Sequence, residues 1–194
     1  MLRLAVLISG SGTDLQSIID HRNQINGEIA LVISNRKNAY GLQRAQDAGI
    51  KNLVIKNQDE LLNTLKEEKI DFIVLAGYLA ILGKDLIDTY QNKIINIHPS
   101  LIPSFCGPGM YGLHVHEAVL ERGVKVSGAT VHFVSEEVDG GPIIWQEAVS
   151  IADLDTPEDI QKRVLEVEHK ILPEVVQWIC DGKVVIEKGR VKIR

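Results

Sequence analysis

Continuous apolar runs recur through the first half of the chain, at residues 3–9, 29–34, 53–55, 72–76 and 93–98. A strand buried on both faces of a sheet reads this way, because neither face tolerates polar side chains. Between the runs the period lengthens. Leu15, Ile18 and Ile19 fall at helical spacing, and residues 40–48 form a helix closed by Gly49. Residues 59–69 set Leu61, Leu62 and Leu65 on one side and charges on the other. Strands alternating with helices at this spacing predict an α/β fold built on a doubly wound, mostly parallel sheet.

The pattern changes after residue 126. Residues 127–134 alternate, with Thr130, His132 and Val134 on one face and Val131 and Phe133 on the other. A tight turn at residues 137–142 leads into the apolar run 143–149, which is therefore expected to pair antiparallel with its predecessor. Thr156 as N-cap and Pro157 at N1 open a helix expected to reach about residue 180, with Pro173 kinking or breaking it. Two short runs around Lys188-Gly189 predict a terminal hairpin. Together these elements predict a single domain over residues 1–194.

Composition narrows the function classes. At 194 residues with 45% hydrophobic composition, the chain buries a substantial core and needs no covalent staples. A net charge of −5 argues against nucleic acid or an anionic membrane as partner, leaving small molecules. Cys106 and Cys180 are too few for a disulfide framework, so a cytoplasmic setting is expected. The apolar run 4–8 is too short to span a membrane and lacks the cleavage pattern of a signal peptide.

Candidate chemistry centres on residues 96–103, Asn-Ile-His-Pro-Ser-Leu-Ile-Pro. In an extended strand Asn96 and His98 share a face, and Pro99 ends the strand just after the imidazole. Amide and imidazole then sit at the carboxyl end of a buried strand, where open α/β sheets bind ligands. Read alone, such a pair also serves to cap a loop. The second stretch, Glu137-Val138-Asp139-Gly140-Gly141-Pro142, puts a carboxylate on a tight turn. Asn96, His98 and Asp139 together suit acyl-type transfer: an amide for an oxyanion, an imidazole to move protons, a carboxylate to orient the imidazole.

Other motifs are weaker. Residues 9–14, Ser-Gly-Ser-Gly-Thr-Asp, lie between the first strand and a helix, which is either a phosphate cradle or only a glycine-rich turn. Residues 77–83 make an apolar loop, whose plain reading is a buried crossover. Residues 104–112, rich in glycine and proline, read as a mobile rim on a cleft. Cys106 within it has no local base and no need to act as a nucleophile. His114 and His116 have a metal-like spacing but no third ligand, so they are assigned to a helix start and no metal site is expected.

At residues 96–103, 128–134 and 138–144 the sequence resembles the folate-dependent formyltransferases, and the likeness extends from residue 7 to about residue 173. The resemblance implies a Rossmann-like formyltransferase fold and formyl transfer from 10-formyltetrahydrofolate, as co-substrate, to the amine of glycinamide ribonucleotide. It implies that Asn96, His98 and Asp139 are catalytic: Asn96 and His98 stabilise the oxyanion, and Asp139 holds His98 and favours its protonated form. It further implies that Gly12, Thr13 and Asp14 hold the ribose phosphate and Glu168 the ribose hydroxyls. Leu79, Ala80, Ile81 and Leu82, with Asn96, then wall the folate pocket, and His132 supports the site at its edge. Two positions depart from the family: Ala80 where Arg is common, and Asp14 where Asn is common. Charge repulsion between a carboxylate and a bound phosphate predicts that Asp14 turns away, toward a basic group or its own helix N–H groups. Relatives that hydrolyse the folate or formylate an aminoacyl-tRNA usually carry an added domain, for which the chain is expected to have no room. Monomer and homodimer are both compatible with the sequence.

Overall fold

The structure, a computed structural model, describes residues 1–194. The apolar runs become β1 (Leu2–Ile8), β2 (Gly27–Ser34), β3 (Asn52–Val54), β4 (Phe72–Leu75) and β5 (Ile94–His98). These are followed by β6 (Val126–Phe133) and β7 (Ile143–Ser150), and then by the hairpin β8 (Val184–Glu187) and β9 (Arg190–Ile193). The helices are α1 (Thr13–Asp20), α2 (Gly41–Asp47), α3 (Gln58–Glu67), α4 (Lys84–Thr89), α5 (Leu113–Arg122) and α6 (Pro157–Cys180).

One sheet carries the seven strands in the order β3-β2-β1-β4-β5-β6-β7. β1 through β5 are parallel, whereas β6 pairs antiparallel with both β5 and β7. β6 is therefore the one reversed strand, and β7 runs back in the common direction. The sheet is covered on both faces, as continuous apolar strands require. One face packs on α1, α2, α5 and α6, burying Leu15, Ile18, Ala45, Val115 and Ile171, and the other packs on α3 and α4 through Leu61, Leu65 and Leu86. A fully buried leucine such as Leu15, cut to alanine, costs about 2–5 kcal/mol.

Most predicted boundaries hold to within a residue or two. The exceptions are instructive. α4 has too few apolar positions to announce a helix. α6 runs unbroken through Pro173, where a kink or break was expected. Proline removes one backbone donor, but Leu172, Pro173, Val175 and Val176 are all buried, and that packing holds the helix together across the gap. No helix is long and apolar enough to cross a membrane.

β1 lies between β2 and β4, so the chain leaves it in opposite directions on its two sides. In an open α/β sheet this switch point opens a crevice at the carboxyl ends of the strands. Here the crevice is bounded by the loops after β1, β4 and β5.

Candidate active site

A cleft of about 630 Å³ occupies that crevice. It is lined by Gly12, Thr13, Asp14, Leu79, Ala80, Ile81, Leu82, Asn96, His98, His132, Asp139 and Glu168, so all twelve predicted site residues meet in one space. The segments that supply them are up to 156 residues apart in sequence (168 minus 12) and converge only through the sheet order.

Asn96 and His98 share one face at the end of β5, and His98 is only 4% exposed. The Nε2–H of His98 donates to the backbone carbonyl of Phe105 at 2.8 Å. This leaves Nδ1 facing Asp139 Oδ2 at 3.6 Å, within ion-pair range but not hydrogen-bonded. Burial holds the His98 pKa below the ordinary histidine value, outweighing the upward pull of the Phe105 carbonyl and of Asp139. Asp139 thus raises the basicity of an imidazole that remains, on balance, neutral. The carboxylate does favour the protonated form, in the direction expected, but the cost of desolvating the cation outweighs that pull.

Asp139 sits on the turn after β6 with φ +56°, in the left-handed region. Its neighbour Gly141 is required, because a Cβ there would lie 1.8 Å from the carbonyl oxygen of Phe133. The Gly107 N–H donates to Asp139 Oδ2 at 2.8 Å, and His132 Nε2 is 3.6 Å from Oδ1. Burial pushes the carboxyl upward, but His132, the Gly107 N–H and His98 together hold it below the usual carboxylate range.

His132, on β6, is buried beside Asn96 because the two are paired across the antiparallel ladder. Its Nδ1–H donates to the Phe133 carbonyl at 2.9 Å, so Nε2 carries the lone pair. That lone pair accepts one N–H of Asn96 Nδ2 at 3.2 Å. The amide orientation of Asn96 is fixed by this contact, with its second N–H left for the cleft.

The glycine loop is closed by a tight approach to α2. Gly12 has φ +71°, and a Cβ on it would stand 2.5 Å from Gly41 Cα. Gly41 N–H also donates to the Gly10 carbonyl at 3.1 Å. α1 then begins with no side-chain cap, so the N–H groups of its first turn are available to an anion. Arg44 braces the loop, donating from Nε to the Ser11 carbonyl at 2.8 Å.

Asp14 does turn toward a basic group: its Oδ1 is 3.6 Å from His169 Nε2. It also lies against the Glu168 carboxyl, a contact with no counterpart in the sequence reading. Burial raises the pKa of both carboxyls. Asp14 is partly relieved by Glu168 and His169, whereas Glu168 is driven well up, with Asp14 adding to the effect. Such a pair cannot hold two full negative charges at low cost, which favours protonation of Glu168, the carboxyl raised further.

The loop after β4 is not a simple buried crossover. Leu82 is buried in the core under α4, while Ile81 is 79% exposed and Leu79 half-exposed at the cleft wall. Ser9 anchors it, accepting the Leu79 N–H at 2.9 Å and donating to Asn35 Oδ1 at 2.6 Å. Residues 104–112, expected to be a mobile rim, are pinned at Phe105 and Gly107 by His98 and Asp139. Burial, Asp139 and Glu137 all raise the pKa of Cys106, which keeps it a thiol. His114 pairs with Glu117 at the surface, 3.2 Å apart, while His116 is buried against the cleft, so the two do not share a site.

Sequence reasoning placed Ser9 in the glycine loop and His116 at a helix start without seeing either side chain at the cleft, and it passed over His169 and the backbone of Phe105 and Gly107. Backbone partners leave no trace in side-chain identity. His169 adjoins Glu168 in a helix and carried a signal that spacing alone does not decode.

The Formyl transferase family profile matches residues 2–176. The phosphoribosylglycinamide formyltransferase of Haemophilus influenzae is 42% identical, the match covering 94% of this chain and 89% of that protein. The chloroplastic phosphoribosylglycinamide formyltransferase of Arabidopsis thaliana is 40% identical over 94% of this chain, which spans only 66% of that protein's length. Among solved structures, glycinamide ribonucleotide transformylase 1 from Symbiobacterium toebii superposes with a TM-score of 0.93 at 43% identity, covering 100% of this chain and 94% of that one.

Proposed function

The chain belongs to the formyl transferase family, and we propose that it moves the formyl group of 10-formyltetrahydrofolate onto the amine of glycinamide ribonucleotide, a step of de novo purine biosynthesis. The observation that carries this reading is the pairing at the end of β5. Asn96 has one N–H committed to His132 and one free, beside an imidazole whose Nε2–H is committed to Phe105 and whose Nδ1 is free.

In this reading the amine attacks the formyl carbon, and charge develops on the formyl oxygen. The free N–H of Asn96 donates to that oxyanion. The nitrogen that has attacked sheds a proton to Nδ1 of His98, which is neutral and therefore able to accept it. The imidazolium so formed lies between the Phe105 carbonyl and the Asp139 carboxylate, both of which favour it. His98 can now donate on Nδ1, so the proton passes to the folate nitrogen as its bond to the formyl carbon breaks. Asp139 stays ionised throughout, which its lowered pKa supports.

Substrate contacts follow from the cleft. The N–H groups of Gly12, Thr13 and Asp14 receive the phosphate at the start of α1. Glu168, whose pKa burial and Asp14 drive well up, can both donate and accept when protonated, which suits hydroxyl groups of a ribose. The stretch 79–82 offers an apolar wall and backbone hydrogen-bonding groups to the pterin, and Ala80 supplies no cation there.

The test is an assay of the purified chain with 10-formyltetrahydrofolate, with and without glycinamide ribonucleotide. Folate turnover that requires the amine supports the proposal. Turnover with water alone, or binding without turnover, overturns it.

A further inference from the structure

Arg36 has no part in the chemistry above, yet it is the only arginine or lysine among the residues that line the cleft. The same lining carries the carboxyls of Asp14, Glu136, Glu137, Asp139 and Glu168. Arg36 lies just past the end of β2 and is exposed. Its main chain is already occupied: its N–H donates to Ser34 Oγ at 3.0 Å, and its carbonyl accepts the Ser34 hydroxyl at 2.9 Å. What Arg36 offers a ligand is therefore its guanidinium, which has no ion-pair or hydrogen-bond partner in the protein. Two other cations that touch lining residues are committed. Arg44 donates to the Ser11 carbonyl at 2.8 Å and to Gln16 Oε1 at 3.3 Å, and lies 5.0 Å from the centre of the Tyr40 ring. Lys84 pairs with Asp88 at 3.2 Å and with Glu136.

The hydrogen bonds around its base place this free charge. The preceding residue, Asn35, accepts the Ser9 hydroxyl at 2.6 Å, and the same Ser9 oxygen accepts the Leu79 N–H at 2.9 Å. Arg36 is thus tied, through one serine, to the residue that opens the apolar wall 79–82. That wall supplies no cation of its own, because position 80 is alanine. In the formyl-transfer reading two kinds of anion enter the cleft: the ribose phosphate, and the carboxylates of the glutamate that ends the folate. The phosphate already has the uncapped N–H groups at the start of α1. The glutamate has no such provision. Leu79 and Ile81, the exposed side chains of the wall, are apolar, and Glu136 and Glu137 repel a carboxylate. The flat pterin is the end that an apolar wall accepts, so the glutamate end points out to the rim, where Arg36 is exposed.

We infer that Arg36 is a substrate-binding residue whose guanidinium pairs with a carboxylate of the folate's glutamate tail. This rests on the formyl-transfer reading and adds a specificity-determining contact to it. A guanidinium holds a carboxylate through two parallel N–H donors, a geometry that a lysine ammonium does not reproduce. The tail is unchanged by the reaction, so the contact acts equally on bound substrate and transition state and shows in KM rather than kcat.

The test compares wild type, Arg36→Gln and Arg36→Lys in the two-substrate assay, and repeats the folate series with 10-formyltetrahydropteroate, the same molecule without its glutamate. In Arg36→Gln the KM for the folate is expected to rise about 3- to 30-fold, between the effect of losing an exposed ion pair and that of losing a charge-assisted hydrogen bond. The KM for glycinamide ribonucleotide should stay near its original value, which also reports that the variant has folded. Arg36→Lys, which keeps the charge but not the fork, should recover part of the loss. Removing the glutamate should raise the wild-type KM by a similar factor and add little in Arg36→Gln, where the partner is already gone. A folate KM within about twofold of wild type in Arg36→Gln overturns the inference and leaves formyl transfer standing. A rise in the KM for glycinamide ribonucleotide instead overturns it too, by giving the guanidinium to the phosphate. So does an equal penalty for losing the glutamate in wild type and variant, which puts the tail elsewhere. Wild type that fails to formylate the amine overturns the formyl-transfer reading itself, and the inference with it.

Discussion

Asn96 and His132 face each other across the β5–β6 ladder, and a single 3.2 Å hydrogen bond from the amide to the ring fixes which way the amide points. The contact works because His132 has already committed its Nδ1–H to the backbone of Phe133. Asn96 would otherwise be free to turn its carbonyl toward the cleft, where it would repel an oxyanion.

Asn96→Ala is expected to lower kcat by roughly 10²–10³-fold, the range for losing one oxyanion donor. His132→Phe should cost less, since it loosens the donor without removing it. Steady-state kinetics on both variants check this order. A His132→Phe enzyme slower than Asn96→Ala would mean that His132 has a direct chemical role.

Asp139→Asn should leave the fold intact and lower turnover by about 10²–10⁴-fold. It should also move the acid limb of the pH–kcat/KM profile. Proton transfer needs neutral His98, so activity falls as pH drops through the His98 pKa, which lies below the ordinary histidine value. Removing the neighbouring anion lowers that pKa further, so the limb shifts to more acidic pH. An upward shift would show that Asp139 does not face His98 during turnover.

Asp14→Asn should stabilise the protein most at the alkaline end of its range. The folded-state pKa values of Asp14 and Glu168 are raised, so the stability these groups contribute is present below their unfolded pKa values and is lost as pH rises through the folded ones. Substitution removes one of the two charges, and the gain in Tm over wild type should grow as pH increases from about 4. Thermal melts across pH measure it. A gain that shrinks with pH would mean that the carboxyls do not repel. The KM for the amine substrate should change only modestly, within about threefold, because Asp14 points at α6 rather than into the phosphate cradle.

Leu82→Asp tests the folate wall. Leu82 is buried beneath the stretch that lines the cleft, and an unpaired carboxylate there is costly. The KM for the folate should rise more than that for glycinamide ribonucleotide. An equal rise in both would point to general unfolding.

Acidification should destabilise the fold through its buried histidines. The folded pKa values of His98 and His116 are depressed, so their contribution to stability is present above about pH 6.5 and is lost as pH falls toward about 4. In His116→Phe the loss of Tm over that interval should be smaller than in wild type. An identical slope would mean that His116 becomes protonated without cost.

The fold was legible because its signals are dense. Fully buried strands such as β1 and β4 are written as unbroken apolar runs, and the β8–β9 hairpin by its flanking pattern. The candidate site was legible where side chains line the cleft, at Asn96, His98 and Asp139. It was obscure where the partner is a backbone atom, as at Phe105 and Gly107, or where burial outweighs an electrostatic pull, as for His98. The Asp14–Glu168 contact depends on α1 meeting α6 across 154 residues (168 minus 14), which no local pattern encodes.

The loop from Ser104 to Gly112 holds the His98 imidazole and the Asp139 carboxylate by one carbonyl and one N–H. Main-chain atoms are common to every amino acid. The rest of the loop can therefore be redrawn in length and chemistry, provided that Phe105 and Gly107 keep their places. The rim of the cleft is separable from the groups beneath it, and a designer reshaping the cleft could begin at Pro108, Met110 and Tyr111 without touching His98.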